Sequence, residues 1–194
     1  MPKAKQFDEV QVMNTAKEVF SEKGYNGTSM DDLVQATGLS RSSIYDTFGD
    51  KHGLFLKVLT YYRCDQQNDL ATLLAKTDSP KKKIAIVFDN IVRDILADKD
   101  RKGCLLINVS MELNCVDKDV ANLACTNMLE MEEQFAKWLK EGQAKGEIGR
   151  KFPPKVLAKH LYNSLTGLRM TGRTRPEQGA LRDIVKVALS ILDE

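Results

Sequence analysis

Apolar positions recur along most of the chain at the three- and four-residue spacing of amphipathic helices, and no strand-like alternation interrupts them. In the first such segment, Val10, Met13 and Phe20 fall on one helical stripe, and Gly24 follows at the place that glycine usually takes after a helix. Later segments are separated by further glycines and by Ser-Pro and Pro-Pro pairs, which are typical of helix starts. The pattern predicts an all-α fold of about nine helices.

Short helices come first in the predicted order, and long helices follow. The first spans residues 7–23. Ser29 and Ser40 are typical N-caps, and they predict helices that end before Gly38 and Gly49. The other helices are predicted near residues 50–74, 80–95, 104–113, 117–145, 154–168 and 176–191.

Residues 28–51 carry the most informative pattern. A short helix is followed by the tight turn Thr37-Gly38-Leu39 and then by a second short helix, which is the sequence form of a helix-turn-helix. In proteins with this motif the second helix enters the major groove of DNA. Its outward positions all carry groups that hydrogen-bond to phosphates or base edges, and they are Arg41, Ser42, Ser43, Tyr45, Asp46 and Thr47.

The motif is part of a longer series that runs without gaps. The series is Gly24-Tyr25, Thr28-Ser29-Met30, Thr37-Gly38-Leu39-Ser40, Ile44-Tyr45-Asp46-Thr47-Phe48 and Asp50-Lys51 with Leu54-Phe55. In this order and spacing it resembles the TetR family of transcriptional regulators, over roughly residues 13–60. Two later segments are similar to the family more loosely, namely Ala144-Lys145-Gly146-Glu147-Ile148 and Gly167-Leu168-Arg169.

The resemblance implies a ligand-responsive homodimer, most simply a repressor that a small effector releases from a palindromic DNA operator. It implies a DNA-binding domain over residues 1–53 and an effector-binding and dimerisation domain over residues 54–194. Dimerisation is expected through the last two long helices. The predicted interface residues are Leu161, Leu165, Leu168, Ile184, Val187 and Ile191.

The resemblance also implies roles for individual residues. Thr28 and Lys51 are expected to contact DNA phosphates, and the Tyr45 hydroxyl is expected to donate to a phosphate. Arg41, Ser42 and Ser43 fall where members of the family contact bases or nearby phosphates. Asp46 stands where many members carry histidine; its carboxylate would repel phosphate but could accept from a cytosine amine.

Charge limits how this protein can bind DNA. The 194 residues carry a net charge of +2, so no bulk attraction to a polyanion is expected. Residues 1–51 hold six Lys and Arg but eight Asp and Glu, and this segment is therefore about −2. Because few phosphates would be neutralised, we expect weak non-specific binding and a modest salt dependence.

Methionine and aromatic residues at helical spacing in the C-terminal part suit either a bundle core or an adaptable apolar pocket, and the sequence leaves both interpretations open. The predicted effector-pocket residues are Tyr62, Cys104, Asn108, Met111, Asn127, Met128, Met131 and Phe135.

Cys104 supports an alternative function. Its thiol is predicted near a helix N-terminus and beside Arg101 and Lys102, which favours a reactive thiolate. Cys104 therefore either makes the protein a thiol-based sensor of oxidants or electrophiles, or has a structural role as a small buried apolar side chain. A helical interaction module without DNA binding is a further alternative.

Other chemistry has little support in the sequence. Four cysteines form no CxxC pair and the two histidines lie far apart, so no metal site is expected. The absence of a Gly-rich phosphate loop or a nucleophile elbow argues against an enzyme and a cofactor. No run of about 18 apolar residues and no secretion signal occur, which predicts a cytoplasmic protein without a membrane partner.

Overall fold

The structure is a computed structural model that describes residues 7–194. That part of the chain forms nine α-helices and one terminal 3-10 turn, and contains no strand, which confirms the predicted all-α class. The first six residues of the predicted DNA-binding domain lie outside the described range. The helices are α1 (Glu9–Lys23), α2 (Met30–Thr37), α3 (Arg41–Phe48), α4 (Lys51–Leu74), α5 (Pro80–Ala97), α6 (Leu105–Leu113), α7 (Lys118–Lys145), α8 (Pro154–Thr174) and α9 (Gln178–Ser190).

Side-chain caps set most of these helix starts. The Ser29 hydroxyl accepts from the Asp32 N–H while the Asp32 carboxylate accepts from the Ser29 N–H, which is a complete capping box. The Ser79 hydroxyl accepts from the Lys82 N–H at the start of α5. α1 begins at Glu9, two residues later than predicted, because the Asp8 carboxylate caps it.

The chain divides into two compact units. The first comprises the residues up to Gln67 together with Cys104–Ala121, and the second comprises Asn68–Gly103 and Asn122–Glu194. The first unit therefore extends beyond residue 53, where the sequence places a functional boundary, and it includes α6. The functional division at residue 53 stays a prediction.

Aromatic rings form the centre of the first unit. Phe20 of α1 and Phe55 of α4 are fully buried, with ring centroids 4.8 Å apart. The Tyr25 ring lies 4.6 Å from that of Phe55. Leu33 of α2 and Ile44 of α3 are fully buried as well. The three short helices thus bury one apolar side each and leave the other sides to solvent.

The turn that joins α1 to α2, residues 24–28, is held from within and by α4. The Thr28 hydroxyl donates to the carbonyl of Gly24 at 2.6 Å. The Lys51 ammonium donates to the carbonyls of Tyr25 and Thr28 at 3.0 and 2.9 Å, and lies 4.2 Å from the centre of the Tyr25 ring. The first residue of α4 therefore fixes the turn that leads into the helix-turn-helix.

The second unit is a helical bundle around its own core. Phe88 of α5, Phe135 and Leu139 of α7, and Leu161 and Leu168 of α8 are all fully buried in one apolar cluster. α9 adds Leu181, Val185 and Ala188 to the same cluster.

Replacing Lys51 by alanine should lower the stability of the first unit. The change removes two charged hydrogen bonds and a cation–π contact; the Tyr25 carbonyl keeps the Thr28 N–H as a donor, whereas the Thr28 carbonyl loses its charged donor. We expect the free energy of unfolding to fall by roughly 1–3 kcal/mol. Urea denaturation at fixed protein concentration measures the change. The exposed Lys118 provides the control, since Lys118→Ala should stay within about 0.5 kcal/mol of the parent; equal stabilities of the two variants would contradict the role of Lys51.

Candidate functional site

The turn between α2 and α3 depends on one glycine. Gly38 adopts φ +70°, ψ 4°, in the left-handed region, and its N–H donates to the carbonyl of Val34 at 3.0 Å. Apart from its chain neighbours, no atom lies within 4 Å of the place where a Cβ would be, so glycine is needed here for backbone conformation and not for space. Two residues later Ser40 caps α3, its hydroxyl accepting from the Ser43 N–H at 3.1 Å.

α3 has one apolar and one polar side. Ile44 and Phe48 are buried, one turn apart. The six predicted DNA-contacting residues of this helix occupy the remaining positions, where Arg41, Ser42, Tyr45 and Asp46 are exposed and Ser43 and Thr47 are half-buried. The structure therefore brings these side chains together on a polar surface of a single helix.

Three hydroxyl groups cluster at the amino end of α3. The Ser40 oxygen lies 2.9 Å from that of Ser42 and 2.8 Å from that of Ser43. Each hydroxyl can act as donor or acceptor by rotating about one bond. These groups are thus placed together at a helix N-terminus, where donors face outward.

The positively charged side chains near this surface have partners within the chain. Residues 7–51 contain four Lys and Arg, and each has a contact within the chain. Lys23 pairs with Asp32 at 2.6 Å, Arg41 with Asp31 at 2.7 Å and Lys17 with Glu18 at 3.5 Å, while Lys51 donates to the carbonyls described above. The Lys23 hydrogen bond, followed by those from Ser29, holds the pKa of Asp32 well below its usual range.

Two of the residues predicted to contact phosphate form hydrogen bonds within the chain. Thr28 is buried, and its hydroxyl is already donating to the Gly24 carbonyl. Lys51 is half-buried, with two of its three donors directed into the turn. A role in DNA binding for either residue stays a prediction.

Sequence reasoning missed a contact from α6. The Glu112 carboxylate accepts from the N–H groups of Tyr25 and Asn26, at 3.1 and 2.8 Å. The contact joins residues more than 80 positions apart, so no local pattern indicates it.

A second polar contact links α4 with the start of α7. Asp117 Oδ2 lies 2.7 Å from His52 Nε2, and Asp117 Oδ1 accepts from the N–H groups of Asp119 and Val120. Desolvation alone would raise the pKa of Asp117, but the hydrogen bonds from Val120 and His52 outweigh it and lower that pKa. The sequence indicates Asp117 as a helix start and gives no sign of its histidine partner.

His52, Asp117 and Asp119 are close enough to be considered together as a metal site. Their nearest ligand atoms lie within 4.8 Å of one another. The Asp117 carboxylate is already the cap of α7 and the partner of His52, so an ordinary helix start explains this grouping. The expectation that the protein has no metal site stays a prediction.

The predicted effector-pocket residues divide between the two units. In the first unit, the Tyr62 hydroxyl donates to Cys104 Sγ at 3.7 Å. Cys104 and Asn108 are half-buried, whereas Met111 is 77% exposed. In the first unit, the predicted pocket residues Tyr62 and Cys104 thus form a hydrogen-bonded pair.

In the second unit the predicted pocket residues lie along α7. Phe135 is fully buried, and its ring packs near those of Phe88 and Trp138, with centroids 6.5 and 6.0 Å away. The core interpretation therefore applies to Phe135 and Trp138. The half-buried members are Asn127, Met128 and Met131.

The predicted dimer-interface residues differ in how much of each side chain is exposed. Leu161, Leu165 and Leu168 are 0%, 6% and 0% exposed in a single chain, because they belong to the core of the second unit. Their side chains have almost no surface left for a partner. Ile184 and Ile191 are half-buried, and Val187 is 72% exposed.

Among residues 7–194, no helix combines the length and the apolar character that crossing a membrane requires.

Comparison with known families gives two matches. A model described as bacterial regulatory proteins, tetR family, matches residues 12–58. A second, described as tetracyclin repressor-like, C-terminal domain, matches residues 80–188. The first match contains the whole helix-turn-helix, and the second contains α6 and most of the second unit.

Individual relatives agree with these matches. The uncharacterized HTH-type transcriptional regulator YezE of Bacillus subtilis (strain 168) is 31% identical over 194 residues, which cover 100% of both chains. The HTH-type transcriptional repressor ComR of Escherichia coli (strain K12) is 29% identical over 95% of this chain and 87% of its own. A solved structure of a cysteine mutant of the TetR family regulator CifR, complexed with 26bp double-strand operator DNA, has a TM-score of 0.84 at 24% identity and covers 97% of this chain and 98% of that one. The chain therefore belongs to the TetR family of bacterial regulatory proteins, which are helix-turn-helix transcriptional regulators and not enzymes.

Proposed function

We propose that this protein is a dimeric repressor that binds a palindromic DNA operator through α3 and is released from it by a small effector. The polar surface of α3, positioned by the Gly38 turn and the Ser40 cap, is the observation that carries the proposal. Names of relatives such as the repressor ComR support repression over activation. Membership of the TetR family argues against an interaction module without DNA binding. A protein with this function acts on the chromosome, so we place it in the cytoplasm.

The proposed DNA-binding domain is residues 1–53, and residues 54–194 are the proposed effector-binding and dimerisation domain. Arg41 is the proposed principal base or phosphate contact. Its ion pair with Asp31 is exposed, and exposed pairs contribute little, so the guanidinium can leave Asp31 for DNA at small cost. Tyr45, which is 45% exposed, offers its hydroxyl to a phosphate. Ser42, Ser43, Asp46 and Thr47 complete the proposed surface, with Thr28 and Lys51 at its edge.

Selection from a randomised duplex pool, followed by salt titration, tests this proposal. We expect a palindrome to be enriched, with half-sites about one DNA turn apart, roughly 34 Å or somewhat more. The affinity for it should depend only modestly on salt, because the cations of the first three helices are already paired.

Two variants locate the DNA contacts. Tyr45→Phe should weaken binding to all duplexes alike, whereas Ser43→Ala should change which bases are enriched at one position of each half-site. Ser190→Ala, on an exposed residue of α9, is the control and should change neither. A folded protein that enriches no sequence at low salt would contradict the proposed function.

Exposed positions of α8 and α9 are the proposed dimer interface. Val156 and Met170 of α8 and Val187 of α9 are 53%, 49% and 72% exposed, although all three are apolar. Gly167 lies on α8 between the first two, and apart from its chain neighbours and the local backbone of α8, no described atom comes within 4 Å of an added Cβ. An exposed glycine inside a helix costs about 1 kcal/mol relative to alanine. Close approach of α8 from a second copy explains why glycine stands there.

Replacing Gly167 by leucine should therefore disrupt the dimer. The larger side chain would occupy the space that the partner helix needs, and we expect dimer affinity to fall at least about tenfold, or 1.4 kcal/mol. Sedimentation velocity over a concentration series measures this. Leu129→Ala, at an exposed residue of α7, is the control. If the Gly167→Leu protein stays dimeric at all concentrations, the interface lies elsewhere.

The effector contacts are proposed separately for each unit. In the first unit they are Tyr62, Cys104 and Asn108, with the exposed Met111 at their edge. In the second unit they are Asn127, Met128 and Met131, beside the core residue Phe135. Thioether and amide groups together suit an effector that is largely apolar and carries a few hydrogen-bonding groups.

A thiol-based response through Cys104 is the second candidate. The hydrogen bond from Tyr62 and the half-buried position distinguish this thiol from Cys64, Cys115 and Cys125, which are all exposed. N-ethylmaleimide should release operator DNA from a protein in which those three cysteines are serine, but not from the same protein with Cys104→Ser added. Release of both proteins by the reagent would rule out a sensor at Cys104.

A further inference from the structure

We infer that Glu112 of α6 is a positioning residue for DNA recognition, because its carboxylate fixes the 24–28 turn from which the helix-turn-helix extends. The inference rests on the proposed function, since it assigns a role in operator binding. It concerns the first unit only, to which both α6 and the turn belong.

The contact is bidentate. Glu112 Oε2 accepts from the Tyr25 N–H at 3.1 Å, and Oε1 accepts from the Asn26 N–H at 2.8 Å. Each carboxylate oxygen thus has its own donor, and the two donors are successive peptide N–H groups. Successive N–H groups that converge in a turn form a recognised anion-binding arrangement.

Gly24 makes room for this carboxylate. A Cβ at position 24 would lie 2.8 Å from Glu112 Oε2, and the residue has φ +71°. The backbone therefore requires glycine at this position, and a larger residue would also push the Glu112 carboxylate away from its donors. At Gly38, by contrast, only the backbone requires it.

Glu112 complements the contact from α4. Lys51 donates to two carbonyls of the turn, while Glu112 accepts from two of its N–H groups. The two contacts meet at the peptide group between Tyr25 and Asn26, where Lys51 binds the carbonyl and Glu112 binds the N–H. Ser29, the cap of α2, follows the turn directly. A shift of the turn is consequently passed to α2 and, through the Gly38 turn, to α3.

The two sides of the contact come from segments with different matches. Tyr25 and Asn26 lie within residues 12–58, which match the N-terminal family model, and Glu112 lies within residues 80–188, which match the C-terminal one. A residue of the segment proposed to bind effector therefore helps to set the geometry of the DNA-binding segment. The contact is exposed to solvent, so water can replace the carboxylate as acceptor and the loss of global stability is small.

The test compares Glu112→Ala and Glu112→Gln with the parent protein. Two measurements are made: hydrogen exchange of the Tyr25 and Asn26 amides by NMR, and the affinity for the selected operator duplex. We expect the alanine variant to exchange both amides at least tenfold faster and to bind the operator about tenfold more weakly. Its melting temperature should change by only about 2 °C. Glutamine keeps one acceptor oxygen and should give smaller changes of the same sign.

Glu133→Gln is the matched control, because it removes one negative charge from an exposed position of α7 without touching the turn. It should leave both measurements at parental values. Unchanged amide exchange in Glu112→Ala would overturn the contact, and parental operator affinity with freed amides would overturn the positioning role. If the parent protein itself selects no DNA, the proposed function fails together with the positioning role, whereas the amide measurement still decides whether the contact exists.

Discussion

The turn of residues 24–28 exposes several backbone N–H and carbonyl groups that the helical hydrogen bonds of α1 and α2 leave over, and side chains from α4 and α6 bind them. Peptide groups that are buried without a partner destabilise a fold, and those near the surface are otherwise left to mobile water, which does not fix the path of the chain. Lys51 of α4 and Glu112 of α6 supply partners from outside the turn, and the Thr28 hydroxyl supplies one from within it. Because α2 starts directly after the turn, the placement of α3 depends on the same contacts.

The polar surface of α3 follows from local chemistry once that turn is fixed. Gly38 reverses the chain, Ser40 starts the next helix, and the burial of Ile44 and Phe48 leaves the other residues outward. The positively charged side chains around this surface pair with carboxylates of the same chain, so they provide little net positive charge to attract a polyanion. Such a surface favours recognition by a few directional hydrogen bonds over general attraction to DNA.

Features that depend on neighbouring residues could be predicted from the sequence, and features that depend on distant ones could not. The bounds of α3 were predicted residue for residue, since Ser40 and Gly49 act within one turn of the helix that they delimit. No sequence pattern indicates the contact of Glu112, because its partners are backbone groups and lie in a segment remote in sequence. The leucines of α8 show a different difficulty. The apolar stripe of a helix has to be buried, but the sequence does not indicate whether it packs into the core of its own chain or against a second copy.

The Glu112 contact bears on how such regulators can be recombined. An exchange that joins the first 53 residues of this chain to the effector domain of another protein would separate Tyr25 and Asn26 from their acceptor, and would leave Gly24 beside an unfilled space. The unit that can be transplanted intact is therefore discontinuous, because α6 has to travel with the N-terminal helices. Gly24, whose φ is +71°, is needed by the backbone in either context, so the cost of such an exchange falls on the amides of Tyr25 and Asn26.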